Sequence, residues 1–467
     1  MQFFCVHSAP QLAGYFDAPF WQRMVLQAGR HEPAVRHAIA AVGALHERQL
    51  AGDHPLDDFQ DSQAQFALEQ CNKSIRYLTQ DVDETKKPNP RLIITASLLF
   101  TTFEAMQDRW QEAIEHATQG YKLLQYYEST SQERETDDAF AVELYHLRSI
   151  LVRLHVRMKA LVHKDYGAIF NAEEMQIAWP KHFASLHDAR VSLEAVLNLL
   201  TVLFLDLDLD DRLYEMATSH ADINAALKPW LQAWEATFAA LISNAKVTAS
   251  LADRKAAMVL KANALVAHIF SNVDLSRGEL AWDGFEDQFE AIVVLAAAVL
   301  EADDSMRRRS QIRRPQAAFI SSTNAEHAFS LGIITPLCEV CARCRDPAIC
   351  GKALKVLASH SRRECMWSSW SSWKVEKYLL GLEEKSQDRF LGDAIDVHIR
   401  EQTAQGSRRR AAEASVAHEG RAIGVRRVRA GRKVRRELNP GLFAGRTDQG
   451  ETEQVGGIPT PYASYTG

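Results

Sequence analysis

Between Pro33 and Leu50 the apolar residues Val35, Ile39, Val42 and Leu45 recur at steps of three and four, the interval that places side chains on one face of an α-helix. His31-Glu32-Pro33 just before them supplies a start, because proline's fixed φ suits a first helical turn and its missing N–H has no partner to lose there. Phe59 to Leu78 repeats the pattern through Phe66, Cys71, Ile75 and Leu78, and the polar run DVDETKKPNP from Asp81 to Pro90 then reads as a loop. Leu92 to Met106 is apolar on most sides, whereas Trp110 to Tyr127 is amphipathic. With Gln107-Asp108-Arg109 as the turn between them, the two predict an antiparallel hairpin in which Ala113, Ala117 and Gly120 allow close approach. Further helical periods cover roughly 138–164, 186–206, 222–244, 251–272, 285–302, 326–345 and 348–359, with Pro180, Pro229, Pro315 and Pro347 as punctuation. Alternation of the strand kind is scarce, and no strict period marks a named repeat. The pattern therefore predicts an all-α fold, stacked antiparallel helical hairpins forming one large domain over residues 1–400.

Beyond about residue 404 the composition turns to Arg, Ala, Gly and Val and then to a Gly/Thr/Pro/Tyr end. No core-forming face is visible there, so residues 401–467 are expected to be a basic, disordered tail. The formal charge of −6 over 467 residues hides this asymmetry. Residues 405–467 hold 12 Arg/Lys against 6 Asp/Glu, which leaves the preceding body at −12. Such a body is poorly suited to releasing counterions from a phosphate backbone. The opening MQFFCVHSAPQLAGYF has neither a basic n-region nor a sustained apolar h-region, so no secretory signal is expected. The longest apolar stretch, Ala291 to Leu300, is about half of what a helix needs to span a bilayer and reads as a buried helix. Seven cysteines in a chain without an export signal are expected to be reduced thiols.

A family resemblance begins at Phe3-Phe4 and Ser8-Ala9-Pro10-Gln11-Leu12-Ala13-Gly14-Tyr15-Phe16, then Phe20-Trp21 and EPAVRHAIAAVGALHE from Glu32 to Glu47. It continues at FALEQCNKSIRYL from Phe66 to Leu78, at Glu104, Ala113, His116, Gly120 and Leu123-Leu124, and at Pro180, Phe183, Leu186, Ala189-Arg190 and Leu193. It returns from Phe329 to Leu337, at Cys344-Arg345-Asp346-Pro347, and at Arg362-Arg363-Glu364 with Trp367. Together these segments resemble the regulatory region of fungal six-cysteine zinc-cluster transcription factors. The resemblance implies an all-α regulatory domain, residence in the nucleus and a role in transcriptional control. Family members place a Cys-x2-Cys-type cluster with interleaved Lys and Arg ahead of this region, while this sequence opens on the regulatory region. The expectation is a regulator without its own zinc-cluster head, and sequence-specific DNA contact is not carried over. Cys71 stands where relatives tend to have Tyr, Cys350-Gly351 stands where a basic pair would follow, and the tail does not resemble the family's usual ending.

Candidate chemistry is sparse. Cys338, Cys341, Cys344 and Cys350 suggest zinc or an iron–sulfur cluster by spacing. On one helix, however, residues six apart lie about 9 Å apart along the axis, against about 4 Å between sulfurs sharing a zinc. Only Pro347 could break the helix, so buried reduced thiols are expected and no metal or cofactor is assigned. His31, His37 and His46-Glu47 lack the i, i+4 spacing of a zincin helix and are expected on the polar side or rim of their helix. Asp206 to Asp211 lacks the central Gly and closing Glu of a calcium loop and reads as a solvated turn. No G-x-S-x-G, Walker-type or dinucleotide-binding pattern gives an enzyme its anchor residues.

Two surfaces stand out instead. Trp367, Trp370 and Trp373 repeat every three residues and on a helix would form one aromatic face, which serves either as packing or as a surface for a partner or effector. Arg426, Arg427, Arg432, Lys433, Arg435 and Arg436 form a basic cluster suited to nuclear import. The sequence thus points to a non-enzymatic regulatory module. Its expected partners are proteins, a complete zinc-cluster factor or a co-regulator, with a small apolar effector as a further candidate and no membrane. The alternative is a helical interaction scaffold with no direct transcriptional role.

Overall fold

The computed structural model describes residues 1–51, 62–80, 89–130, 138–162, 177–209, 213–313, 326–360, 362–364 and 367–377. The fold is all-α. The chain enters through two π-helical turns, Phe4–Ser8 and Pro19–Met24, each followed by a short helix, α1 (Ala9–Ala13) and α2 (Val25–His31). The sequence pattern assigned no element here, because runs such as Phe-Trp and Ala-Pro carry no clear period in so short a span.

α3 (Pro33–Ala51) packs on α4 (Ser62–Gln80), as expected from their apolar stripes. The Ser74 hydroxyl donates to the Ala34 carbonyl at 2.7 Å, and the His37 ring meets the Gln70 side-chain oxygen at 2.7 Å. α5 (Pro90–Met106) and α6 (Trp110–Thr130) form the expected hairpin. Asn89 caps α5 by accepting from the Arg91 N–H, and Asp108 takes φ +59° in the turn, a conformation that Asp adopts more readily than most residues. α5 is buried on most sides yet carries hydroxyls. Ser97, Thr101 and Thr102 return them to carbonyls one turn back at 2.8 Å, so they cost little inside. A Cβ on Gly120 would lie 2.9 Å from the Ser97 Cβ, so the close approach predicted at this position is real.

The remaining helices are α7 (Asp138–Val162), α8 (Leu186–Leu209), α9 (Leu213–Ser243), α10 (Leu251–Asn272), α11 (Glu286–Arg313), α12 (Ile334–Arg343), α13 (Pro347–Ser359) and α14 (369–377), with a 3-10 segment over Leu275–Phe285. One departure from the sequence reading concerns a proline and one concerns a strand. Pro229 lies inside α9 and does not punctuate it. The helix runs through because it is anchored just beyond, where the Trp230 and Trp234 indoles donate to the Ala178 and Ala189 carbonyls at 3.0 and 3.1 Å. Pro347 punctuates as expected, beginning α13 beneath an Asp346 cap that accepts from Ala348 and Ile349. Pro315 lies outside the described residues.

The stretch 326–345 is not one helix. Glu326–Ala328 forms β1, which pairs in parallel with β2 (Arg362–Glu364), and β2 pairs antiparallel with β3 (Trp367–Ser368). Residues 329–333 are then irregular, and helix begins only at Ile334. Phe329 to Ile334 are all buried, and an apolar run enclosed on every side has no period by which to tell helix from strand.

Two hydrophobic cores result. The first gathers α3 to α7 around Phe4, Trp21, Ile39, Leu98 and Leu151. The second gathers α8 to α13 around Leu193, Trp234, Leu260, Phe289 and Leu337. Each borrows one aromatic from the other end of the chain: Phe16 belongs to the second core and Phe329 to the first. The apolar run Ala291 to Leu300 lies in α11 with Ile292, Ala296 and Val299 fully buried, as expected. Among the described residues no helix is long and apolar enough to cross a membrane.

Candidate functional site

Where the two segments cross, four charged side chains are buried together. Asp17 follows Phe16, Arg153 lies on α7, and Arg190 and Glu194 lie one turn apart on α8. Their side chains are 1%, 1%, 0% and 5% exposed, respectively. Arg153 reaches Asp17 at 2.6 Å and both Glu194 oxygens at 3.2 and 3.3 Å, and its Nε donates to the Phe329 carbonyl at 3.0 Å. Arg190 lies 3.1 Å from the other Asp17 oxygen and 3.5 Å from Glu194, and it donates to the Ser149 hydroxyl at 3.0 Å. Two cations and two anions balance, which is the condition for burying such groups at all. The balance is tighter in charge than in geometry, since the Arg190 Nε and Nη1 lack well-directed acceptors. Burial pushes the Asp17 carboxyl up, but Arg153 and Arg190 outweigh it and hold Asp17 below the ordinary 3.8.

Beside this cluster, the His146 and His187 rings meet edge to face at 4.6 Å. Burial, the Arg190 charge and the His146 neighbour push His187 down to about 3. A second polar knot lies nearby in the chain fold: Asp303 pairs with Lys255 and, at 3.3 Å, with Arg362, and it accepts the Tyr15 hydroxyl at 3.0 Å. Arg362 also binds Glu364 at 2.7 Å, and Glu364 accepts the Ile334 N–H at 2.8 Å, which caps α12 from β2. A Cβ on Gly332 would fall 2.0 Å from the Glu364 carboxyl carbon, so only glycine leaves room for this cap. Arg190 and Glu364 were part of the family-like segments, but no sequence signal singled out Asp17, Arg153, Glu194 or Asp303. A charged residue inside an apolar period looks like an ordinary solvated position until its partners are known.

Two open grooves flank these elements. One, of about 600 Å³, lies between α2, the start of α5 and α7, with Arg23, His31, Arg91 and Glu143 among its walls. The other, of about 490 Å³, lies along α9 beside Lys181, His182 and Phe183. Both mix charged and apolar walls, unlike the wholly apolar cavity an apolar effector would favour.

The tryptophan repeat is not one helical face. Trp367 sits in β3, half-buried against the second core, because the pairing with β2 extends through it. Trp370 and Trp373 do share α14 and stack at 4.7 Å. Trp370 is 50% exposed. The Lys374 and Lys377 ammonium groups lie 5.6 and 4.7 Å from the centres of the Trp370 and Trp373 rings. The basic cluster Arg426, Arg427, Arg432, Lys433, Arg435 and Arg436 lies outside the described residues.

His46 departs from its expected place on a polar rim. It is fully buried, with Nδ1 2.9 Å from the Ser8 hydroxyl, and burial together with His7 pushes it down to about 4. The π-helical entry covers what would otherwise be the open face of α3. His37 pairs with Gln70 and stacks on Tyr77, and His31 lines the first groove. The Asp206–Asp211 run extends from the end of α8 beyond the described residues. Cys338, Cys341, Cys344 and Cys350 are all buried. Among the described residues no group of three or more His, Cys, Asp or Glu side chains is placed to hold a metal ion.

Residues 1–199 match the model of a protein family described as the fungal specific transcription factor domain. All four members of the buried charge cluster fall within that match. No curated protein and no solved structure matches the chain.

Proposed function

From a chain whose residues 1–199 match the model of the fungal specific transcription factor domain, we propose a regulatory module that acts in the nucleus through protein contacts. The family match carries this reading. The charge distribution supports it, since residues 1–404 total −12 and counterion release from DNA requires a basic face. The buried charge cluster supports it as well. It stitches the two cores into a scaffold on which surfaces can be held in register, as buried polar groups do where they specify one arrangement.

The partner surface in this account is α14. Trp370 is a large, half-exposed aromatic stacked on a second one, the residue type that dominates interface energetics. Lysines over both rings give the patch a positive rim, so it fits an acidic segment with apolar anchors, such as a complete zinc-cluster factor or a co-regulator would present. The test is to tether the full chain to a promoter through a heterologous DNA-binding domain. A severalfold change in reporter output, up or down, is expected, and Trp370→Ala should remove it. An unchanged reporter, tested both at rest and under an added activator, would count against the proposal. Imaging of the tagged chain should show nuclear accumulation; exclusion from the nucleus would favour a cytosolic scaffold.

A further inference from the structure

Residues 181–184 lead into α8 and lie beside the C-terminal half of α9, and the groove of about 490 Å³ runs between them. The Trp230 indole and the Thr237 hydroxyl fasten the approach to this segment onto α9, donating to the Ala178 and Pro180 carbonyls at 3.0 Å each. We propose that the groove binds an amphiphilic carboxylate, its head paired with Lys181 and His182 and its alkyl chain laid along α9.

The two kinds of wall carry this. Phe183, Ala236, Ala240, Leu241 and Val247 supply apolar lining. Ala236 and Ala240 are exposed and one turn apart on α9, so their short side chains leave a trough that longer ones would fill. The polar lining is cationic and has hydrogens to give. Lys181 and His182 are exposed, no acidic side chain lines the groove, and among the described residues no ion pair holds either of them. Asn244 accepts the Lys246 N–H through its side-chain oxygen at 3.1 Å, which leaves its N–H groups to donate. Thr237 spends its proton on the Pro180 and Ala233 carbonyls. Helix dipoles do not decide the sign, because the positive N-terminus of α8 and the negative C-terminus of α9 both border the groove.

Size and charge narrow the class of ligand. The volume is that of a small-molecule site. Two turns of a partner helix, about 11 Å long and 10 Å across, displace roughly 850 Å³ and can lie only along the rim. Lys181 is the one permanent charge in the lining, so it balances a monoanion and leaves a dianionic phosphate in excess. A wholly apolar molecule gains nothing from the donors.

Calorimetric titration of the folded full chain with decanoate, kept below its micelle concentration, tests the site. One saturable site with a Kd below about 1 mM is expected. Decylamine has the same tail and the opposite head charge, and on the wild-type chain it should bind at least about tenfold more weakly. Lys181→Glu should weaken decanoate binding more than about tenfold by reversing the charge at the head. Ala240→Leu should do the same by filling the trough. Both positions are exposed, so the urea midpoints should not move. No saturable binding of decanoate, decylamine bound as tightly, or decanoate affinity indifferent to either substitution would overturn the proposal.

Discussion

Replacing Arg153 by Met keeps the length of the side chain and removes its charge, leaving Asp17 and Glu194 to share Arg190 alone. The loss is severe for a local reason. Arg153 supplies the bond to Asp17 at 2.6 Å, two bonds to Glu194 and the donor to the Phe329 carbonyl, while Arg190 holds Asp17 by charge with its Nε and Nη1 poorly directed. One partner removed from a buried pair costs about 3–5 kcal/mol, because the charge left behind is neither solvated nor matched. Part of that returns if neutrality is restored. Arg153→Met combined with Glu194→Gln leaves one cation facing one anion, so the double variant should be more stable than the sum of the single losses by about 0.5–3 kcal/mol. Urea unfolding followed by far-ultraviolet circular dichroism reads both quantities, provided the slope of the transition is unchanged between variants. A cost below about 1 kcal/mol for Arg153→Met would place the cluster among weak surface pairs, and strict additivity would show that Arg153 and Glu194 are not coupled. Either result would refute the view that this cluster binds the two cores together.

Acid should loosen the fold before its carboxylates titrate. His46 and His187 are held neutral, at about 4 and about 3 against an ordinary 6.5, so below pH 6.5 the unfolded chain binds more protons than the folded one. Stability is then lost as pH falls through that window, by at most about 1.4 kcal/mol per unit for each ring. A urea midpoint that stays level from pH 6.5 to 5 would contradict this, and His46→Gln should flatten the slope. Gly14 sits at φ +52° with a built Cβ only 2.8 Å from the Ser330 Cβ. Gly14→Ala should therefore lower the urea midpoint by an amount equivalent to about 1–3 kcal/mol, and no shift would show the turn to be adaptable. Trp370→Ala should change stability by less than about 0.5 kcal/mol, as expected of an exposed side chain. A large loss on denaturation would identify Trp370 as core and remove α14 as a docking face.

The helices most legible in the sequence were those with one apolar stripe and a clean stop. The expected span 251–272 is α10 as found, where Ser250 caps through the Asp253 N–H, and the α5–α6 hairpin with its small-residue seam is also where the pattern placed it. Periodicity failed where burial is complete. Phe329 to Ile333 is buried throughout, yet it is not helical, because it threads between both cores and carries the carbonyl that Arg153 needs. It failed again at Trp367, since a two-residue strand fixed by β2 overrides a spacing that suits a helix equally well. Of the candidate surfaces, the Trp370–Trp373 pair is legible by composition, and its lysine rim follows from Lys374 and Lys377 at one-turn spacing. The buried charges were the least legible. Asp17 and Arg153 are 136 residues apart in sequence, and no local signal tells a charge that will meet its counterion in the interior from one that will face water. The cysteines fall between these cases. Their spacing suggested a metal and geometry argued against one, but the bond from the Cys350 thiol to the Cys344 carbonyl depends on the direction in which the chain turns at Asp346.

Chromatin occupancy of the tagged full chain, mapped in its own cells at its normal level, bears most directly on the claim that this module works in transcriptional control by holding a partner. The account predicts discrete enrichment at promoters that falls several-fold in a Trp370→Ala variant with unaltered urea stability. Occupancy no higher than genomic background, or enrichment that is indifferent to the loss of Trp370, would contradict it.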